Sequence, residues 1–305
     1  MIRLALLSRQ DADGFERRKT RLTDACARIR GVQVTAAAPS WEELEANHPD
    51  RCDAVLLQAP PEERAAIAAT VARSRKHLLV EGSPVESIEE SSRLGKLFSE
   101  NDLRLMIGDS LRYDPSIQAV KTALDGERLG RPALLRTHAW LSPDQVADSR
   151  RQLFQQLDLP LWIYQTLPTE VYALGHPERS DLRQVHLGFP ESAMAVITLS
   201  ESLPPGDRYS SCNLIGTTGA AYADDHRQMQ LLYRGNSPRA ERTETGFLRE
   251  VDELREFVSA INERRPPSVS GLDVDRALLL VAAVRDSINL RLPLRLQGGR
   301  YVPLD

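Results

Sequence analysis

Lysine is nearly missing from this 305-residue chain. Lys19, Lys76, Lys96 and Lys121 are the only ones, the other basic residues are arginines, and no lysine follows position 121. Cysteine is scarce as well. Cys26, Cys52 and Cys212 are odd in number and far apart, with no CxxC pair. That spacing excludes a cysteine zinc site or a disulfide framework and makes a reducing cytoplasm the simplest setting. Long apolar runs are absent too. The opening MIRLALLSRQDADG turns polar after six apolar residues, which reads as a first strand rather than a signal peptide. The later run ALLLVAAV (277–284) is too short to span a bilayer, so no membrane association is expected. Nor is there excess charge: a formal net charge of −4 offers nothing to nucleic acid or to an anionic membrane surface.

What is present is an ordinary globular composition, 41% hydrophobic and 27% charged, in a chain long enough for about two domains. Through the first third, strand-like runs recur as IRLALL (2–7), VQVTAAA (32–38), DAVLLQA (53–59), HLLVEG (77–82) and RLMIGDS (104–110). Helix-like segments separate them, best seen in PEERAAIAATVARSR (61–75) and SIEESSRLGKLFSE (87–100), where Ser87 and Glu90 form a capping box. Short apolar strands alternating with amphipathic helices predict a Rossmann-like, doubly wound parallel sheet, an α/β domain over residues 1–115. Ligands of such sheets sit at the carboxyl ends of the strands. Ser8, Arg9, Ala59, Pro60, Glu81 and Asp109 are therefore expected around one crevice.

From 116 to 305 the pattern changes. A helix (SIQAVKTALDGERLG) leads into strands joined by short turns: PALLRTHAWLS (132–142), QVHLGF (184–189), AMAVITLS (193–200), SSCNLIG (210–216), AAYADD (220–225) and MQLLYRG (229–235). Without a helix between each, they predict a mainly antiparallel open sheet with helices on one face, an α+β domain. Helices over 247–265 and 274–291 close the chain. The segment PRAERTETG (238–246) is the most loop-like.

Four stretches, in order and at the right spacing, resemble the Gfo/Idh/MocA family of sugar and polyol oxidoreductases. They are DAVLLQAPPEERAAIAATVARSRKHLLVE, GDSLRYDPSIQAVKTALDGERLGRPALLRTHAW, NLIGTTGAAYADD, and ELREFVSAINERRPPSVSGLDVDRALLLVAAVRDSINLRLPLRL. The resemblance covers nearly the whole chain. It implies a dinucleotide-binding-type domain followed by a substrate and oligomerisation domain. As the resemblance implies it, the chemistry rests on four features.

The first is a glycine-rich turn after strand one, and here SRQDADGFERRK offers Gly14 alone, with Asp11 and Asp13 placed to repel phosphate. The second is an acid or a basic group after strand two, where VQVTAAAPSW supplies neither. The third is Glu-Lys-Pro at the end of strand four. Glu81 is retained, but Gly82 and Ser83 take the lysine and proline positions and Pro84 lies one residue late. The fourth is an Asp-x-x-x-His pair on a helix of the second domain. Over 150–162 those positions fall on Arg151 and Gln155, and Pro160 is expected to interrupt the helix. A glutamine can bond a hydroxyl but cannot remove its proton.

Arg112, Tyr113 and Pro115 keep the family pattern. Glu81 reads best as a structural carboxylate, bound to backbone N–H groups or to Arg112. His138, His186 and the acids beside His226 read as packing or surface residues, and no metal site is expected. The favoured expectation is a protein without classical hydride transfer. It would act as a partner subunit, in a homo-oligomer or a hetero-oligomer with an active relative, or sense a small sugar-like ligand. The alternative is an NAD(P)-dependent oxidoreductase of a sugar or polyol with a non-standard cofactor loop. NAD or NADP would then be held by Ser8, Arg9, Ala59, Pro60, Glu81 and Arg112, with Asp109, Tyr113 or Tyr164 as catalytic candidates.

Overall fold

The computed structural model describes residues 1–47, 52–83, 85–108, 110–143, 149–176, 182–224, 229–233, 238–242 and 247–304. In chain order the first elements are β1 (Ile2–Ser8), α1 (Ala12–Cys26), β2 (Val32–Ala38), α2 (Trp41–Asn47), β3 (Ala54–Gln58), α3 (Pro61–Arg73), β4 (His77–Glu81), α4 (Ile88–Glu100) and β5 (Leu105–Gly108). There follow α5 (Pro115–Asp125), β6 (Pro132–Leu141), α6 (Ser149–Tyr164), β7 (Glu170–Gly175), β8 (Leu182–Gly188), β9 (Met194–Ser200) and β10 (Arg208–Gly216). The chain ends with β11 (Ala220–Asp224), β12 (Met229–Tyr233), β13 (Pro238–Arg242), α7 (Phe247–Asn262), α8 (Gly271–Leu290), β14 (Leu294–Gln297) and β15 (Arg300–Pro303).

Two compact units form. The first comprises Met1–Tyr113 and Phe247–Asp275; the second comprises Asp114–Gly246 and Arg276–Asp305. The first is built on five strands in the order β2-β1-β3-β4-β5, every pair parallel. Its strands are apolar on both faces: Leu4 to Leu7, Ala54 to Leu57, and Leu78 to Val80 are all buried, as a parallel sheet covered on both sides requires. α7 returns to this unit late in the sequence, and the α7–α8 connection covers the edge of β5 through Ile107 N to Val269 O at 3.2 Å.

The second unit carries a ten-stranded sheet in the order β13-β12-β11-β10-β6-β9-β8-β7-β14-β15. Its neighbours are antiparallel except β6 and β9. Strict alternation buries Ala195, Ile197 and Leu199 of β9 and Leu214 of β10, the face on which α5 and α6 pack. α8 is fixed to β7 by Ser287, whose Oγ accepts from Ala173 N at 3.0 Å and donates to Leu292 O at 2.7 Å.

Two local expectations need correction. α6 runs unbroken through Pro160, which does not interrupt it. The helix is buried around most of its circumference, with Leu153, Phe154, Leu157, Leu159, Leu161 and Ile163 all inaccessible, so packing outweighs one missing backbone bond. The loop-like stretch from 238 begins as edge strand β13, which takes its register from β12 rather than from any apolar alternation of its own. Among the described residues, no helix is long and apolar enough to cross a membrane.

Candidate functional site

In the first unit β1, β3 and β4 are adjacent parallel strands, so their carboxyl ends lie side by side. Ser8 ends β1 fully buried and donates to Gln58 Oε1 at 2.9 Å, tying β1 to β3. Arg9 follows in the loop, where its Nε meets Glu63 Oε2 at 2.8 Å with both side chains substantially exposed. Asp11 then caps α1, accepting from Gly14 N at 2.8 Å. A Cβ at Gly14 would lie 2.7 Å from Gln10 Oε1 and 2.8 Å from Asp11 Oδ1, so a larger residue there would make these two side chains shift. The positive end of α1 is thus filled by the chain's own carboxylate, and Asp13 adds a second in the first turn. A dinucleotide pyrophosphate does not fit this arrangement, because two acids stand where backbone N–H groups would have to meet an anion.

The exit of β4 is equally occupied. Glu81 does not reach Arg112. It is paired with Arg18 of α1, which also pairs with Glu250 of α7, and Arg21 reaches Glu250 at 3.2 Å. Arg18 and Glu81 are only 12% and 13% exposed, so their charges compensate one another largely out of water. Ala59 and Pro60 form the turn into α3. The Ala59 carbonyl accepts from Arg64 Nε at 2.8 Å, and Arg64 Nη1 donates to Ser83 O at 3.2 Å. Gly82 lies between these contacts with φ +82°, a left-handed conformation that favours glycine.

Arg112 has a separate task. Buried at 4% exposure, it donates to Ser268 O at 2.7 Å and to Asp273 Oδ1 at 2.8 Å. Burial of Asp273 works to raise its pKa, but the Arg112 charge and hydrogen bond, with Ser270, hold it below the ordinary carboxylate value. Beside it the Tyr113 hydroxyl meets Ser268 Oγ, and Ser110 N donates to Glu253 Oε1 at 3.2 Å. Burial pushes the Tyr113 phenol well above its ordinary pKa. Asp109 lies outside the described residues.

In the second unit, Tyr164 ends α6, stacks on Phe189 with ring centroids 4.2 Å apart, and donates to Met194 O at 2.7 Å. Burial raises its pKa as well. On the same helix Asp158 is buried, and the Lys121 ammonium lies 5.3 Å from the Trp162 ring centroid while pairing with Asp125. His138 belongs to an aromatic group with Trp140 and Tyr209, at 5.2 and 6.2 Å between centroids. Burial, assisted by the Arg136 charge, lowers its pKa. Asp225 and His226 lie outside the described residues. Among those described, no group of three or more His, Cys, Asp or Glu is placed to hold a metal ion.

Sequence reasoning missed Arg18, Arg64 and Glu250. Basic residues on a solvent-rich helix such as α1 carry no mark of burial, and Glu250 lies more than two hundred residues from its partner.

Comparison with known proteins agrees with this architecture. No family model matches the chain. An uncharacterized oxidoreductase of Bacillus subtilis is 24% identical over 274 residues, covering 82% of this chain and 80% of the relative. The myo-inositol 2-dehydrogenase of Thermotoga maritima is 23% identical over 269 residues, covering 80% of each. A probable dehydrogenase of known structure from Thermotoga maritima superposes with a TM-score of 0.79 at 20% identity, covering 96% of this chain and 98% of that one. This chain is similar to the Gfo/Idh/MocA-type dehydrogenases and has their fold. At 20% identity the structural match shows the fold alone, and the site must be judged on its own residues.

Proposed function

We propose that this Gfo/Idh/MocA-like protein does not carry out classical NAD(P)-dependent hydride transfer. It uses the oxidoreductase fold as a partner subunit, in a homo-oligomer or beside an active relative, or as a sensor of a small sugar-like ligand. The observation that carries this reading is the exit of β4. There Glu81 is neutralised by Arg18, Arg18 is shared with Glu250, and glycine stands at residue 82. A carboxylate held in such a pair has a structural task, and no lysine adjoins it to move a proton. The Asp11 cap on α1 supports the same reading, since it sets the local charge against a pyrophosphate.

A second reading is favoured by the relatives, which are named as dehydrogenases or oxidoreductases. In it the chain oxidises or reduces a CH–OH group of a sugar or polyol, with Arg9 on a phosphate of NAD or NADP and Tyr113 or Tyr164 giving the proton. Arg9 would have to leave Glu63, an exchange that two exposed side chains allow at little cost. The phenols are the weaker part, because burial raises both and each hydroxyl is already engaged.

Titration of the purified protein with NADH and NADPH, followed by nucleotide fluorescence and thermal stability together, separates the two. No binding and no stabilisation at millimolar nucleotide is the expected result. A dissociation constant in the micromolar range overturns the first reading and directs work to Tyr113, Tyr164 and polyol substrates.

A further inference from the structure

Arg64 ties the exit of β3 to the exit of β4 through two carbonyls. Arg64 is on α3 and only 7% exposed, which is unusual for an arginine. Its guanidinium joins the carbonyl of Ala59, at the exit of β3, to that of Ser83, at the exit of β4. Between them, an added Cβ at Gly82 would lie 2.8 Å from Arg64 Nη1 and 3.3 Å from Cζ. The obstacle is the planar head of a side chain held at two points, not the loose end of an exposed one.

We infer that Arg64 is a positioning residue that sets the local structure at the exits of β3 and β4. Its guanidinium occupies the volume that a side chain at residue 82 would enter, so the positive charge at this corner comes from α3 and any side chain introduced at residue 82 has to share the space with that guanidinium. The inference deepens the proposed function and rests on it for its meaning, but its geometry stands independently. The positive φ of Gly82 and the position of Arg64 are two halves of one arrangement: glycine permits the turn, and the arginine fills the space glycine leaves.

A double-mutant cycle on the full chain tests the coupling. Gly82→Ala is expected to lower Tm by roughly 5 °C, from the left-handed backbone and the blocked Cβ together. In an Arg64→Ala background the same substitution is expected to lower it by about half as much, because only the backbone contribution remains. A second readout avoids reliance on stability. In Gly82→Lys, carbon-13 NMR of the introduced amine is expected to report a pKa below the ordinary value of about 10.4, and Arg64→Ala is expected to return it upward. Additive melting shifts together with an amine that ignores Arg64 overturn the inference. Tight NADH binding by the unmodified chain would instead overturn the functional reading and leave the coupling intact.

Discussion

At the scale of single residues, the clearest pH dependence belongs to His77, at the amino end of β4. Its Nδ1 accepts from Arg104 N at 2.9 Å, so the folded protein needs the neutral ring. Burial, followed by the Arg104 charge, lowers its pKa from the ordinary value. The unfolded chain therefore takes up the proton first as pH falls. Stability that is fully present above about 6.5 is lost as pH drops toward the lower folded value. His77→Asn keeps an acceptor without a titrating ring. Its urea midpoint should fall less than that of the unmodified protein between about pH 7.5 and pH 5.5. Equal falls would assign the acid sensitivity to other groups.

At the scale of elements, α1 does two things at once. Its amino end is closed by Asp11, and its second turn sends Arg18 between β4 and α7. Asp11→Ala removes the cap and should cost about 1 kcal/mol in chemical denaturation. Glycine in place of Asp11 should cost only a few tenths of that. Arg18→Ala leaves Glu81 without this partner in a largely dry setting, and the loss should be on the order of 3 kcal/mol. Glu81→Gln should cost less, since Arg18 keeps Glu250 and the amide remains neutral. A harmless Arg18→Ala variant would mean that the pairing contributes nothing to the fold and that Glu81 is free for another task. α6 shows the reverse balance: its sequence argues for a break at Pro160, and its burial prevents one.

At the scale of the whole molecule, the first unit is not a continuous stretch of chain. Residues 247–275 supply Glu250, Glu253, Ser268 and Asp273, which receive Arg18, Ser110 N, Arg112 and the Tyr113 hydroxyl. A fragment of residues 1–113 would leave Arg112 without Ser268 O or Asp273, and Arg18 and Arg21 without Glu250. Such a fragment should lack a cooperative thermal transition and a dispersed amide spectrum. A well-folded fragment would show that the parallel sheet is sufficient and that the returning segment is an accessory.

How much of this was legible depends on the range of the forces involved. The five parallel strands and the long amphipathic helices follow from local periodicity, because a buried strand must be apolar on both faces and a packed helix on one. The Ser87 cap was equally readable, since Glu90 N donates to Ser87 Oγ only three residues away; the reciprocal Glu90 bond of a full capping box is not formed among the described residues. Residue identity is equally local: Gly82 has no side chain and Gln155 no basic nitrogen. β13 was not legible, since an edge strand takes its form from its neighbour. Nor was the partner of Glu81. The sequence by itself determined the five parallel strands, the amphipathic helices and the residue type at each candidate position, because these depend on local identity and short spacing. Only the tertiary structure decided that Arg18 pairs with Glu81 and that Arg64 joins the Ala59 and Ser83 carbonyls, because a guanidinium finds its carboxylate or carbonyl by folded distance and burial, and neither is written along the chain.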